Sequence, residues 1–193
     1  MSIEKHEKLG GPGAVKGTIV RAHLAWAREE IPDLDRRLSP LLSPDCRPVI
    51  ESGVLATNWF PFRCLIELDR AIATLAGGDM HRAMRSLGRY SGAQNLTGPY
   101  RAFVADDPHR LFERTALLHS QFQNFGQSSY ERRGPCAGRI RVDGCDEYSP
   151  AFCESAQGFY EGALKALNRS GRCEEPQCAC LGDRSCVFEM DWS

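Results

Sequence analysis

Nine cysteines stand at positions 46, 64, 136, 145, 153, 173, 178, 180 and 186, and seven of the nine fall between residues 136 and 186. Thiols crowded into one end of a chain must be oxidised, bound to a metal or buried, and each choice limits the fold around them. The total is odd, and the opening MSIEKHEKLGGPG is polar, with no apolar run of the kind a secretory signal needs. A disulfide framework is therefore not expected. A reducing, cytoplasmic setting in which clustered thiols hold a metal is. Cys46 and Cys64 lie in helical surroundings and read as core filler.

Composition narrows the function. Hydrophobic residues at 42% and charged residues at 25% of 193 positions give the ordinary globular balance. Twenty-four Lys and Arg against 25 Asp and Glu leave a net charge of −1, which argues against a nucleic-acid binder that works by neutralising phosphates. No stretch approaches the roughly 20 apolar residues of a membrane span. Nucleophile elbows, phosphate loops, HExxH and dinucleotide fingerprints are absent from the sequence, and Gly10, Gly11 and Gly13 follow no strand. The expectation is a protein that is not an enzyme.

Periodicity predicts a single α+β domain over residues 14–193, preceded by a flexible leader over 1–13. Helical spacing runs from Lys16 to Ile31, through Leu34, Leu38 and Leu42, along FRCLIELDRAIATLA to Gly77-Gly78, and through HRAMRSLGRY with Asp79 as N-cap. Asp107-Pro108 opens a helix continued to Phe125, and NWFPF reads as the lead-in to a helix. From residue 127 the pattern becomes strand, strand, a helix beginning at Pro150, then two strands joined at Gly182-Asp183. The expected architecture is N-terminal helices on a small antiparallel sheet, with a C-terminal helix and β-hairpin.

Within that hairpin, Glu175-x2-Cys178-x7-Cys186 places two cysteines on either side of a turn, and Cys153 sits near the start of the preceding helix. Three thiolates and one carboxylate would close a tetrahedral shell around Zn²⁺, leaving no open position for catalysis. Cys173 and Cys180 could substitute as ligands, Cys136 and Cys145 are further candidates, and any of them could instead be a small core hydrophobe.

The stretches GFYEGALKAL and EEPQCACLGDRSCVFEM resemble the C-terminal signature of 4-vinyl reductase domains. That resemblance implies the TRAPP and NO-signalling ligand-binding fold, shared with TRAPP subunits and bacterial phenol-sensing domains, and a structural zinc on Cys153, Glu175, Cys178 and Cys186. VKGTIVRAHLAW, GVLATNWFPFRCLIELDRAI, RSLGRYSGAQNLTGPYRAF and DPHRLFERTALLHSQFQNFG resemble the myxobacterial DUF2378 paralogous family over nearly the whole chain. This second likeness carries no reaction with it.

Domains of this kind enclose an apolar cavity, and the expected ligand-binding residues are Trp59, His119, Phe122 and Tyr160, with His119 aimed at a ligand hydroxyl. Aromatics at helical spacing are also what a plain core requires. The functional expectation is a non-enzymatic module that binds a hydrophobic or aromatic small molecule and signals, or else an adaptor acting through protein contacts. The resemblance implies a homodimer.

Overall fold

The computed structural model describes residues 13–98, 101–103, 107–145 and 147–193. The expected leader lies outside the described residues except for Gly13, whose carbonyl accepts a hydrogen bond from Phe62 N.

Strand β1 (Ala14–Lys16) leads into helix α1 (Gly17–Glu30), and α2 (Leu34–Leu38) and α3 (Cys46–Glu51) follow. Strand β2 (Trp59–Pro61) pairs antiparallel with β1, with Val15 opposite Phe60. Helix α4 (Phe62–Leu75) ends at Gly77 and Gly78, both in the left-handed region at φ 108° and 90°. The Asp79 carboxylate then accepts from Arg82 N at 3.0 Å and starts α5 (Met80–Thr97). Asp107 caps α6 (Pro108–Leu117) by accepting from His109 N, with Pro108 in the first turn. The helix expected to reach Phe125 breaks at Leu118 and resumes as α7 (His119–Phe122). The chain then runs through β3 (Gln127–Gly134), β4 (Ala137–Asp143), α8 (Pro150–Ala166), β5 (Gly171–Gln177) and β6 (Ser185–Trp192).

The four later strands form one antiparallel sheet in the order β3-β4-β6-β5. Alternation along β4 turns Ile140 and Val142 inward, and β6 adds Cys186, Phe188, Met190 and Trp192. Helices α6 and α8 cover that inner face. The result is the α+β single domain that the periodicity predicts.

Helices α5 and α8 make the most extensive helix–helix contact. Their facing residues are glycines four apart, Gly88 and Gly92 on α5 and Gly158 and Gly162 on α8. A Cβ at any of the four would collide with a backbone carbonyl of the other helix, so the spacing lets two backbones touch. Arg85 reinforces the pair, donating to Glu161 Oε1 at 2.8 Å, to Gln157 Oε1 at 2.7 Å and to the Cys173 carbonyl. Burial pushes the Glu161 carboxyl up, but the Arg85 and Arg89 hydrogen bonds outweigh it and hold the group below its ordinary value.

Two local expectations are corrected. Residues 59–61 of NWFPF lead directly into α4 at Phe62, as expected, but do so as a strand, because Trp59 to Pro61 find ladder partners in β1, far upstream. Cys46 and Cys64 are buried, as core filler would be, but they are joined as a disulfide that ties α3 to α4.

Candidate functional site

Between α1, α5, α6, α8 and the sheet lies a cavity of about 140 Å³. Its wall is mostly apolar, with Leu111, Val142, Phe152, Phe159 and Phe188 among the lining residues. Three of the four expected ligand-binding residues, His119, Phe122 and Tyr160, are in this wall. Trp59 is not. The β1–β2 ladder holds it apart, half-buried, with Lys16 Nζ 4.2 Å from its ring centre.

His119 does not aim a free Nε2 at the cavity. That nitrogen donates to the Phe125 carbonyl at 3.1 Å, and burial pushes the imidazole pKa down, so the ring is held neutral. Tyr160 is buried and its phenol is pushed up by desolvation, so it too stays uncharged. Tyr148 donates to Gln123 Oε1 at 2.7 Å, closing another part of the wall.

Helix α1 contributes the polar groups that sequence reasoning missed. His23 is 2% exposed and lines the cavity, and its Nδ1 lies 2.7 Å from Oδ1 of Asp69, a fully buried residue of α4. The second oxygen, Asp69 Oδ2, is buried without a hydrogen-bond partner among the described residues. Thr18 Oγ1 donates to Asn95 Oδ1 at 3.0 Å, and Asn95 Nδ2 donates to the Ser91 carbonyl and to Ser91 Oγ at 2.9 and 3.2 Å. A signal for the pair was present. His23 and Asp69 are the ionisable residues on the mostly apolar buried faces of α1 and α4.

A second cluster lies where α8 meets the β5–β6 turn. One ligand atom from each of Cys153, Glu175, Cys178 and Cys186 lies within 4.8 Å of all the others. Cys180 Sγ is 3.7 Å from Cys153 Sγ, whereas Cys173 is buried elsewhere, its carbonyl held by Arg85. Two turns of local structure build the group. Asp183 Oδ2 accepts from Cys178 N at 2.8 Å, and Gly182 takes the left-handed conformation at φ 104° that reverses the chain. Burial pushes the Glu175 carboxyl up, and its Oε1 is buried with no partner among the described residues. Contact with Cys186 favours the Cys153 thiolate, but burial and the charges of Glu175, Cys180 and Cys178 carry that thiol up to about 12. Four acids in one dry place suppress one another's ionisation unless a cation joins them.

No protein-family model and no curated protein matches the chain. Solved structures do. An H-NOX protein from S. oneidensis in the Fe(II)NO ligation state matches at TM-score 0.68 and 13% identity, over 92% of this chain and 99% of that one. An unliganded Fe(II) H-NOX protein mutant from K. algicida gives 0.67 at 9% identity, over 92% and 96%. A third, from work on heme distortion in the H-NOX family, gives 0.69 at 12% identity, over 92% and 95%. The chain thus has the fold of H-NOX domains, and at such identity the likeness extends to the fold alone.

These findings correct the sequence reading. The fold matches are H-NOX domains rather than 4-vinyl reductase or TRAPP proteins, and no family model supports the DUF2378 assignment. The structural zinc, expected from the cysteine spacing and implied again by that resemblance, is not supported, since the matched proteins are described by heme and Fe(II).

Proposed function

We propose that this chain is a non-catalytic module that binds a small uncharged molecule in the cavity between α1, α5, α6, α8 and the sheet, and passes its state to a second copy or a partner protein. The observation that carries the reading is the cavity itself, apolar over most of its wall with a few polar groups from α1, α5 and α6. No helix of the described residues is long and apolar enough to cross a membrane.

Heme is the group the fold suggests, and the residues present do not fit it. Cofactor sites occupy roughly 300–1,000 Å³, and this cavity is about 140 Å³. Of the two histidines in its wall, His119 has spent Nε2 on the Phe125 carbonyl, and His23, with Nδ1 on Asp69, keeps Nε2 to offer, so the misfit lies in the size of the space. A guest the size of benzene matches the space, since an apolar cavity of about 150 Å³ takes benzene or xenon. Titration of methyl-labelled protein with benzene is therefore expected to shift Leu96, Leu111, Leu118 and Val142 saturably, and added hemin to give no stoichiometric Soret band. Unmoved cavity methyls, or a one-to-one Soret band, would contradict the reading.

The sulfur cluster supports a separate role. We propose Cys153, Glu175, Cys178 and Cys186 as ligands of one soft cation joining the β5–β6 turn to α8, on the strength of their mutual approach within 4.8 Å. Anaerobic titration of the reduced protein with cobalt(II) should give a sulfur-to-metal charge-transfer band that saturates at one equivalent and disappears in Cys178→Ser. A spectrum showing only aqueous cobalt would remove the site.

A further inference from the structure

Residues 44–55 are held to the rest of the molecule by few anchors. Just before them Ser43 Oγ donates to Glu67 Oε2 of α4 at 2.9 Å, and just after them the Ala56 carbonyl accepts from Thr18 N at 3.1 Å. Between these two ties the buried residues are Cys46 and Ile50. Helix α3, at six residues, is too short to persist as a helix without support. The ion pair of Asp45 with Arg63 on α4 joins two exposed side chains at 3.4 Å, a kind of contact that contributes little. Apart from the packing of Ile50, the segment is fastened by the Cys46–Cys64 bond, which spans 18 residues of sequence.

That bond stands in a chain otherwise full of thiols. The remaining seven cysteines are free, and Cys136 among them is exposed. Around Cys153, the Sγ atoms of Cys180, Cys178 and Cys186 lie at 3.7, 3.8 and 3.8 Å, and Cys180 is only half-buried. Surroundings that oxidised every neighbouring pair would act on this accessible group before reaching Cys46 and Cys64, which are 0% and 1% exposed. Surroundings that keep the group reduced supply the thiols that exchange with a disulfide.

We infer that Cys46 and Cys64 are a reversible redox modification site, whose reaction partner is a dithiol and whose state decides whether α3 is latched to α4. A thiolate of the dithiol attacks one sulfur of the pair as α3 frays. A mixed disulfide forms, and the Cys46–Cys64 bond breaks. The second thiol of the reductant then displaces the first and leaves as a cyclic or intramolecular disulfide. Two electrons have passed to the protein, and the two released thiolates take up two protons. Ile50 and Val54 line a groove shared with Leu24 of α1 and Leu38 of α2, so the latched and released forms present different apolar surfaces. This site is independent of the cavity between α1, α5, α6, α8 and the sheet.

Hydrogen exchange read by mass spectrometry, with alkylation to count thiols, tests the inference on the full chain. Dithiothreitol under native conditions is expected to raise the count from seven alkylated cysteines to nine and to speed exchange in peptides covering 44–55 by at least about tenfold. Peptides from β3 and β4 should exchange as before. Oxidised glutathione should then rejoin Cys46 to Cys64 and restore slow exchange. Cys46→Ala combined with Cys64→Ala should show the fast pattern with or without dithiothreitol. Unchanged exchange across 44–55 with both cysteines alkylated would show that the bond is no latch. A bond that resists dithiothreitol in the folded protein, or fails to re-form, would make it a permanent staple. Equal acceleration in β3 and β4 would replace local release by general loosening, and each of these three results overturns the inference.

Discussion

Gly158→Ala is expected to lower stability by about 2–3 kcal/mol, although the same exchange inside an ordinary helix raises it by about 1 kcal/mol. The sign reverses because the new methyl would lie within contact distance of the Arg85 carbonyl oxygen, and of Arg85 C and Arg89 N at 3.0 Å each. Backbone cannot turn aside as a flexible side chain can. Helices α5 and α8 would have to separate, and with them the Arg85 bonds to Glu161 and Gln157 and the cavity wall on both sides. Gly134→Ala is the matched control, since its Cβ would meet only the Ala137 Cβ at an ordinary 3.7 Å. That variant should stay within about 0.5 kcal/mol of the parent. Urea denaturation of the pair checks both statements, and a neutral or stabilising Gly158→Ala would mean that the two backbones do not touch.

His23→Leu should be costlier still, about 3–5 kcal/mol. The leucine fills similar space but leaves Asp69, fully buried, with neither oxygen bonded, since Oδ2 already lacks a partner among the described residues. A domain of this length loses about 2–4 °C of Tm per kcal/mol, so the thermal midpoint should fall by at least about 6 °C. Adding Asp69→Leu should restore most of the loss, because replacing both partners of a buried hydrogen-bonded pair with apolar groups of similar shape can be nearly neutral or stabilising. Thermal melts of the two single variants and the double variant close the cycle. Additive losses would show that His23 and Asp69 are not energetically a pair.

Much of this fold is legible in the sequence wherever the determinant is local. Asp79 before α5, Asp107-Pro108 before α6, Gly77-Gly78 after α4 and the Gly182-Asp183 turn all act within a few residues of themselves, and each operates where its side chain or φ predicts. The β1–β2 ladder is not legible in this way. Each strand has three residues and no alternation to show, and the partner lies over forty positions away. The Cys46–Cys64 pairing is hidden for the same reason, since two cysteines on separate helices carry no sign of their approach. Spacing also brought Cys153, Glu175, Cys178 and Cys186 to notice as a group, because hairpin geometry follows from the turn. The polar end of the cavity depends on helix-to-helix register, which Thr18, His23, Ser91 and Asn95 reveal only once α1 and α5 are docked. Family likeness was the weakest guide. Short phrases suggested one lineage, whereas the backbone over 92% of the chain matches H-NOX domains at 9–13% identity, a level at which sequence phrases carry little of the fold.

The most direct test of the account is diffraction from crystals held under xenon pressure. Xenon is uncharged and fits an apolar space of this size without needing a polar partner. The account predicts one strong xenon peak among Leu111, Val142, Phe152 and Phe188. A protein core packed solid at that position, with xenon only at the surface, would contradict it.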